Sequence, residues 1–185
     1  MRMQEYYESP LPVYRGHFFT VEEFMDAYAK KYGNFTYTTD WSGFNVPGHI
    51  VVRFFRLFAG DLTRKERQLH ELVLSVVEKH GDRFYIIGAE SGKNGTVRHE
   101  TAHGLYYMDH QYRGEMNTVT QKWAWTRKFQ SRLLQHGYVK SVLDDETQAY
   151  MATSTMRYLT KTFKWRRSWG VPLEYGRIFR RFTCN

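Results

Sequence analysis

A single cysteine, Cys184, beside the C-terminus, is all the thiol that 185 residues contain. A disulfide framework and a cysteine-built zinc site are both excluded, and nothing argues for an oxidising compartment. Long apolar runs are equally scarce. The greasiest stretch, IVVRFFRLFAG at residues 50–60, is broken by Arg53 and Arg56, whereas a membrane helix needs about 20 apolar residues in succession. The opening segment, MRMQEYYESPLPVYRG, has no apolar core and places Glu5 and Glu8 early, so it reads as neither a secretory signal nor a transit peptide. The expectation is a soluble cytoplasmic protein with no membrane contact. Repeats, low-complexity tracts and linkers are absent too, and the length suits one domain over 1–185. Oligomeric state is not legible.

What is present is an aromatic-rich globular composition, 42% hydrophobic and 17% aromatic, with a net charge of +8. Thr20 with Glu23, and Thr63 with Glu66, form capping boxes ahead of apolar residues at helical spacing, predicting helices over 20–32 and 63–80 that stop at Gly33 and Gly81. The stretch NFTYTTDWSGFNVPG alternates aromatics with threonines and reads as a short strand and loop. FYIIGA at 84–89 is a β-branched and aromatic run, hence a strand. After the SGKNG turn a helix is expected from about Thr96, then one helix over 117–135 and another over 143–163. Helices outnumber strands, so the fold class is α+β, mainly helical with a small sheet.

Within NGTVRHETAHGLYYM, His99 and His103 stand four apart and project from one face of a helix, so both can reach one ion. Glu100 is turned by about one hundred degrees around the axis. That places it beside the ion, where it can take a proton from water. The spacing supplies two ligands and one base. A catalytic zinc normally takes a third protein ligand. Asp109 is too far along the axis to serve, about 15 Å from His99 at 1.5 Å per residue.

The stretch TVRHETAHGL, with its HExxH core, resembles the zincin metallopeptidases: Thr96, Val97, Thr101, Ala102, Gly104 and Leu105 all match the longer pattern. Metzincins turn at a glycine seven residues after the first histidine, where this chain has Tyr106. The gluzincins, and their minimal members the minigluzincins, fit better over roughly 63–160. In that family a glutamate on a later helix completes the site, which implies Glu146 of LDDETQAYMATS, with Ala149 letting two helices approach closely. The acid that larger gluzincins place four residues after this glutamate is Tyr150 here, so support for a histidine falls to another group such as Asp145. The resemblance implies Zn2+ as cofactor, peptide-bond hydrolysis with Glu100 as general base, and an edge strand of Tyr85, Ile86, Ile87 and Gly88 that pairs with an extended substrate. A transition-state oxyanion wants a donor opposite the metal. Tyr150, Tyr158, Tyr107 and His136 are all chemically able.

Acid is scarce at the far end. From about 157 to 185 the chain carries Arg157, Lys161, Lys164, Arg166, Arg167, Arg177, Arg180 and Arg181 against Glu174 alone, interleaved with Trp165, Trp169, Tyr175, Phe179 and Phe182. Arginines among aromatics suit phosphate contact and base stacking. This supports an alternative, a basic protein that binds nucleic acid or another acidic partner and whose HETAH helix is structural or holds a non-catalytic metal.

Overall fold

The computed structural model describes residues 2–40, 42–166 and 173–183; Arg167, Trp169 and Cys184 lie outside them. Contacts group the chain into two compact units, Met1–Ala89 and Glu90–Asn185.

The first unit holds α1 (Arg2–Glu8), α2 (Val21–Tyr32), α3 (Tyr37–Asp40), β1 (Gly43–Pro47), α4 (Gly48–Leu57), α5 (Arg64–His80) and β2 (Tyr85–Ala89). Both capping boxes form: Thr20 accepts from the Glu23 amide and Thr63 from the Glu66 amide, with each glutamate returning the bond. Gly33 ends α2 at a φ of 84°, a conformation that costs glycine nothing. The arginine-broken stretch 50–60 is amphipathic: α4 buries Val51, Phe54 and Phe55 and leaves Arg53 and Arg56 outside the core. These pack with Phe19, Phe24, Tyr28 and Phe58 into an aromatic core. In α1, Arg2 is buried and pairs with Glu66 and Asp61, each at 2.6 Å. β1 and β2 run antiparallel with Phe44 opposite Gly88, and a side chain at Gly88 would overlap the Phe44 ring.

The second unit is helical among its described residues: α6 (Asn94–Met108), α7 (His110–Lys122), α8 (Ala124–Gln135), α9 (Leu143–Thr153), α10 (Met156–Phe163) and α11 (Leu173–Thr183). The two long helices expected over 117–135 and 143–163 are each two. Trp123 leaves the helical region, with φ −105° and ψ 120°, as its indole N–H donates to Glu174 at 2.9 Å. Ser154 is likewise extended, and Thr155 restarts the chain by capping the Tyr158 amide. Asp109 caps α7 through the Tyr112 amide at 2.9 Å, in keeping with its exclusion from a site at His99.

Tyr112, Met116, Phe129, Leu133, Ala149, Trp165, Tyr175 and Phe179 belong to this unit's core. The basic segment therefore turns Trp165, Tyr175 and Phe179 inward and its described lysines and arginines outward. No described helix is long and apolar enough to cross a membrane.

Candidate metal centre

Helices α6 and α9 pack against each other along small buried residues, Ala102 on one and Ala149 on the other. That close approach brings His99, His103 and Glu146 together, with a ligand atom of each within 4.8 Å of the others. The two imidazole Nε2 atoms are 3.2 Å apart, Glu146 Oε1 is 3.8 Å from His103 Nε2, and Oε2 is 3.9 Å from His99 Nε2. Ligands each about 2.1 Å from a tetrahedral ion lie about 3.4 Å from one another. The imidazole pair lies slightly inside that value and each imidazole's nearer Glu146 oxygen slightly outside it, and two imidazoles with one carboxylate is a donor set that catalytic zinc takes.

The outward nitrogens are held as well. His103 Nδ1 lies 2.9 Å from Asp145 Oδ1, so that nitrogen carries the proton and donates it to the carboxylate. Thr153 spends its hydroxyl proton on the Ala149 carbonyl at 2.6 Å and turns its oxygen to His99 Nδ1 at 3.5 Å. Both rings are thereby set with Nδ1 outward and Nε2 toward Glu146. Asp145 rather than Tyr150 is the group that meets the far nitrogen of His103, and a carboxylate in that position fixes a histidine's tautomer and makes it more basic.

Electrostatics favour a cation between these groups. Burial, with His103 adding to it, pulls His99 down to about 3. Burial works against a charge on His103 too, yet Asp145, Glu146 and Glu100 together raise it to about 10. One proton on the pair occupies the position that suits a metal ion, and metal binding displaces such a proton. Glu100 is buried on α6 beside His99, and its charge is felt at His103.

Of the candidate donors, the structure brings Tyr150 to the site, its ring centroid 4.5 Å from that of His99. Tyr158, 44% exposed, stacks behind Tyr150 at 6.1 Å. His136 sits at the end of α8 with its ring against Phe163, and Tyr107 is exposed on α6. Tyr85, Ile86, Ile87 and Gly88 form β2 of the first unit, paired with β1.

Thr153 escaped the sequence reading, and so did Tyr138 and Gln148. Tyr138, just beyond α8, shares a hydrogen bond of 2.8 Å with the Tyr150 hydroxyl. Burial foremost raises both phenols, so both keep their protons at working pH, and one hydroxyl hydrogen of the pair remains to donate elsewhere. Gln148 lies fully buried on α9 and bonds to Asp145. None of the three has a sequence signal: a threonine, a tyrosine and a glutamine have too many structural uses for spacing to single them out. No protein-family model, curated protein or solved structure matches this chain.

Proposed function

We propose that the chain is a small zinc-dependent metallopeptidase of zincin-like architecture, gluzincin in type, with His99, His103 and Glu146 as ligands and Glu100 as general base. The observation that carries this reading is the convergence of three ligand atoms from two helices, both imidazoles turned so that Nε2 faces the carboxylate. Zinc in such a site polarises a carbonyl and lowers the pKa of water to about 7.

The chain's own residues do the rest. The Glu100 carboxylate takes a proton from water and passes it to the leaving amine, a transfer that needs the group beside the ligands rather than among them. Tyr150 or Tyr138 gives its spare hydroxyl hydrogen to the oxygen that gains charge as the carbonyl is attacked. Asp145 and Thr153 hold the rings in place and take no part in proton transfer.

Metal content by mass spectrometry on untagged protein, together with cleavage of a peptide library, tests the reading. About one zinc per chain is expected, lost in His103→Ala and Glu146→Ala, with Glu100→Gln retaining zinc and losing cleavage. Protein that takes up no zinc, or a Glu100→Gln variant that cleaves as well as the parent, overturns it.

Charge favours a second reading. Residues 90–185 carry 16 Lys and Arg against 8 Asp and Glu, while residues 1–89 carry 11 of each, so the whole net charge belongs to the unit with the metal site. With Trp165, Tyr175 and Phe179 buried, base stacking is not open to these three, while the described lysines and arginines of the segment are exposed for phosphate contact. Binding to DNA or RNA that falls steeply with salt supports a nucleic-acid partner; binding that is absent or indifferent to salt removes it.

A further inference from the structure

Gln148 has no exposure to solvent, yet it carries an amide on the face of α9 that packs against the motif helix. Burying an amide is unfavourable unless its donors and acceptor are met, and here all are. Nε2 donates to the Ala102 carbonyl at 3.2 Å and to Asp145 Oδ1 at 3.0 Å, and Oε1 receives from the Tyr112 hydroxyl at 2.8 Å. The amide admits one orientation. A main-chain carbonyl and a carboxylate only accept, so the nitrogen faces both, and Tyr112 must then be the donor to Oε1.

The same Asp145 oxygen receives His103 Nδ1–H at 2.9 Å. Two donors of fixed direction therefore converge on Asp145 Oδ1, one from the amide and one from the ring. A carboxylate that is about a third exposed would otherwise rotate toward water, and the amide removes that freedom. The bond to Ala102, which lies on α6 between His99 and His103, anchors the amide in the orientation that presents its second N–H to Asp145.

We infer that Gln148 is a positioning residue for the metal: held by Tyr112 and Ala102, it locks the Asp145 carboxylate and, through it, the ring of His103. Hydrogen bonds run from the Tyr112 hydroxyl through the Gln148 amide to the Asp145 carboxylate, which holds an imidazole whose Nε2 faces His99 and Glu146. Fully satisfied buried networks of this kind rigidify what they hold. The inference rests on the metal-site reading above.

The test is zinc affinity of metal-free protein, measured by competition with a chromophoric chelator, for the parent, Gln148→Met, Asp145→Ala and the double variant, each kept well below its melting temperature. Loss of an orienting group costs about 10- to 100-fold in metal affinity. Asp145→Ala is expected to fall in that range and Gln148→Met at its lower edge, about tenfold. Because Gln148 acts through Asp145, the double variant should bind no more than about twofold more weakly than Asp145→Ala alone; independent effects would multiply. A merely structural glutamine lowers the melting temperature but leaves this coupling absent. Gln148→Met binding zinc as the parent does, or a double variant in which the two losses multiply, overturns the inference while the metal site stands. A parent that binds no zinc fails earlier, at the metal site itself, and takes the inference with it. Should Gln148→Met not fold, Gln148→Leu, which also removes the donor to Asp145 without adding charge, is read by the same criteria.

Discussion

Ala149 is the residue at which packing and metal affinity can be separated. Glu146, Ala149 and Thr153 lie at i, i+3 and i+7 on α9, so they form one stripe along the helix. At one end Glu146 faces both imidazoles, and at the other Thr153 meets His99. Ala149 sits between them with no exposed surface. Ala149→Leu adds three carbons where there is no room. Overpacking of that kind costs about 1–3 kcal/mol, and the strain is relieved most directly by moving α9 away from α6. Metal ligands tolerate displacements of about 0.2 Å from ideal distances, so a shift of even half an ångström takes Glu146 out of range. Zinc affinity should fall by about 10- to 100-fold, or about 1.4–2.8 kcal/mol at 1.4 kcal/mol per decade. The control is Ala149→Gly, which leaves space and loses about 1 kcal/mol in helix propensity. Thermal melts of metal-free protein and chelator competition should then part company: both variants melt lower, and only the leucine variant binds zinc poorly. An Ala149→Leu protein with parental affinity, or a glycine variant equally impaired, would show that helix separation does not set the site.

Removing zinc from loaded protein should lower its melting temperature. Free metal at a hundred times Kd stabilises by about 2.7 kcal/mol, roughly 5–11 °C for a chain of this size, and calorimetry that finds no shift would exclude a specific site. The metal-free protein should be most stable between the two histidine transitions. His99, lowered to about 3, is protonated first in the unfolded chain, so stability rises with pH from about 3 to 6.5; His103, raised to about 10, holds a proton that the unfolded chain loses, so its contribution fades from about 6.5 to 10. Urea titrations across that range that show no maximum would remove the shared proton from the account. In the first unit, Arg2→Met takes the cation from a Glu66 side chain only 7% exposed. Leaving such a charge buried and uncompensated costs about 3–5 kcal/mol, measured by urea unfolding, and a loss below about 1 kcal/mol would mean that water reaches the pair.

Local chemistry was legible and distant chemistry was not. The starts of α2 and α5 were readable because a capping box lies within four residues, and their ends because Gly33 and Gly81 follow at once. The helix of α1 was not: its arginine is held by Glu66, 64 residues away. The break at Trp123 is the same case. TVTQKWAWTRKF keeps helical periodicity through the break, and what stabilises the extended tryptophan is Glu174, 51 residues on. Thr155 did carry a local signal, a hydroxyl that caps the amide three residues later, and it was hidden only by the apolar spacing on either side.

The site divides along the same line. The pairing of His99 with His103 and the offset of Glu100 follow from the period of one helix, whereas Glu146 was sought only because the resemblance to gluzincins implies a glutamate on a later helix, with Ala149 letting that helix come close. The groups that aim those ligands obey no spacing. Asp145 precedes Glu146 in sequence, but its partner is His103, and Gln148 reaches Tyr112 and Ala102 across 36 and 46 residues. A motif therefore identifies which atoms touch an ion, because those atoms must share a helix face or meet across one helix pair. The orienting residues need only a hydrogen bond of the right polarity, which any donor or acceptor brought there by the fold can make. For this chain the His99, His103 and Glu146 cluster that could hold a metal is foreshadowed in HETAH and DETQAY, whereas the hydrogen bonds around it depend on Tyr112, Gln148 and Thr153, which only the packing of α6, α7 and α9 brings into reach.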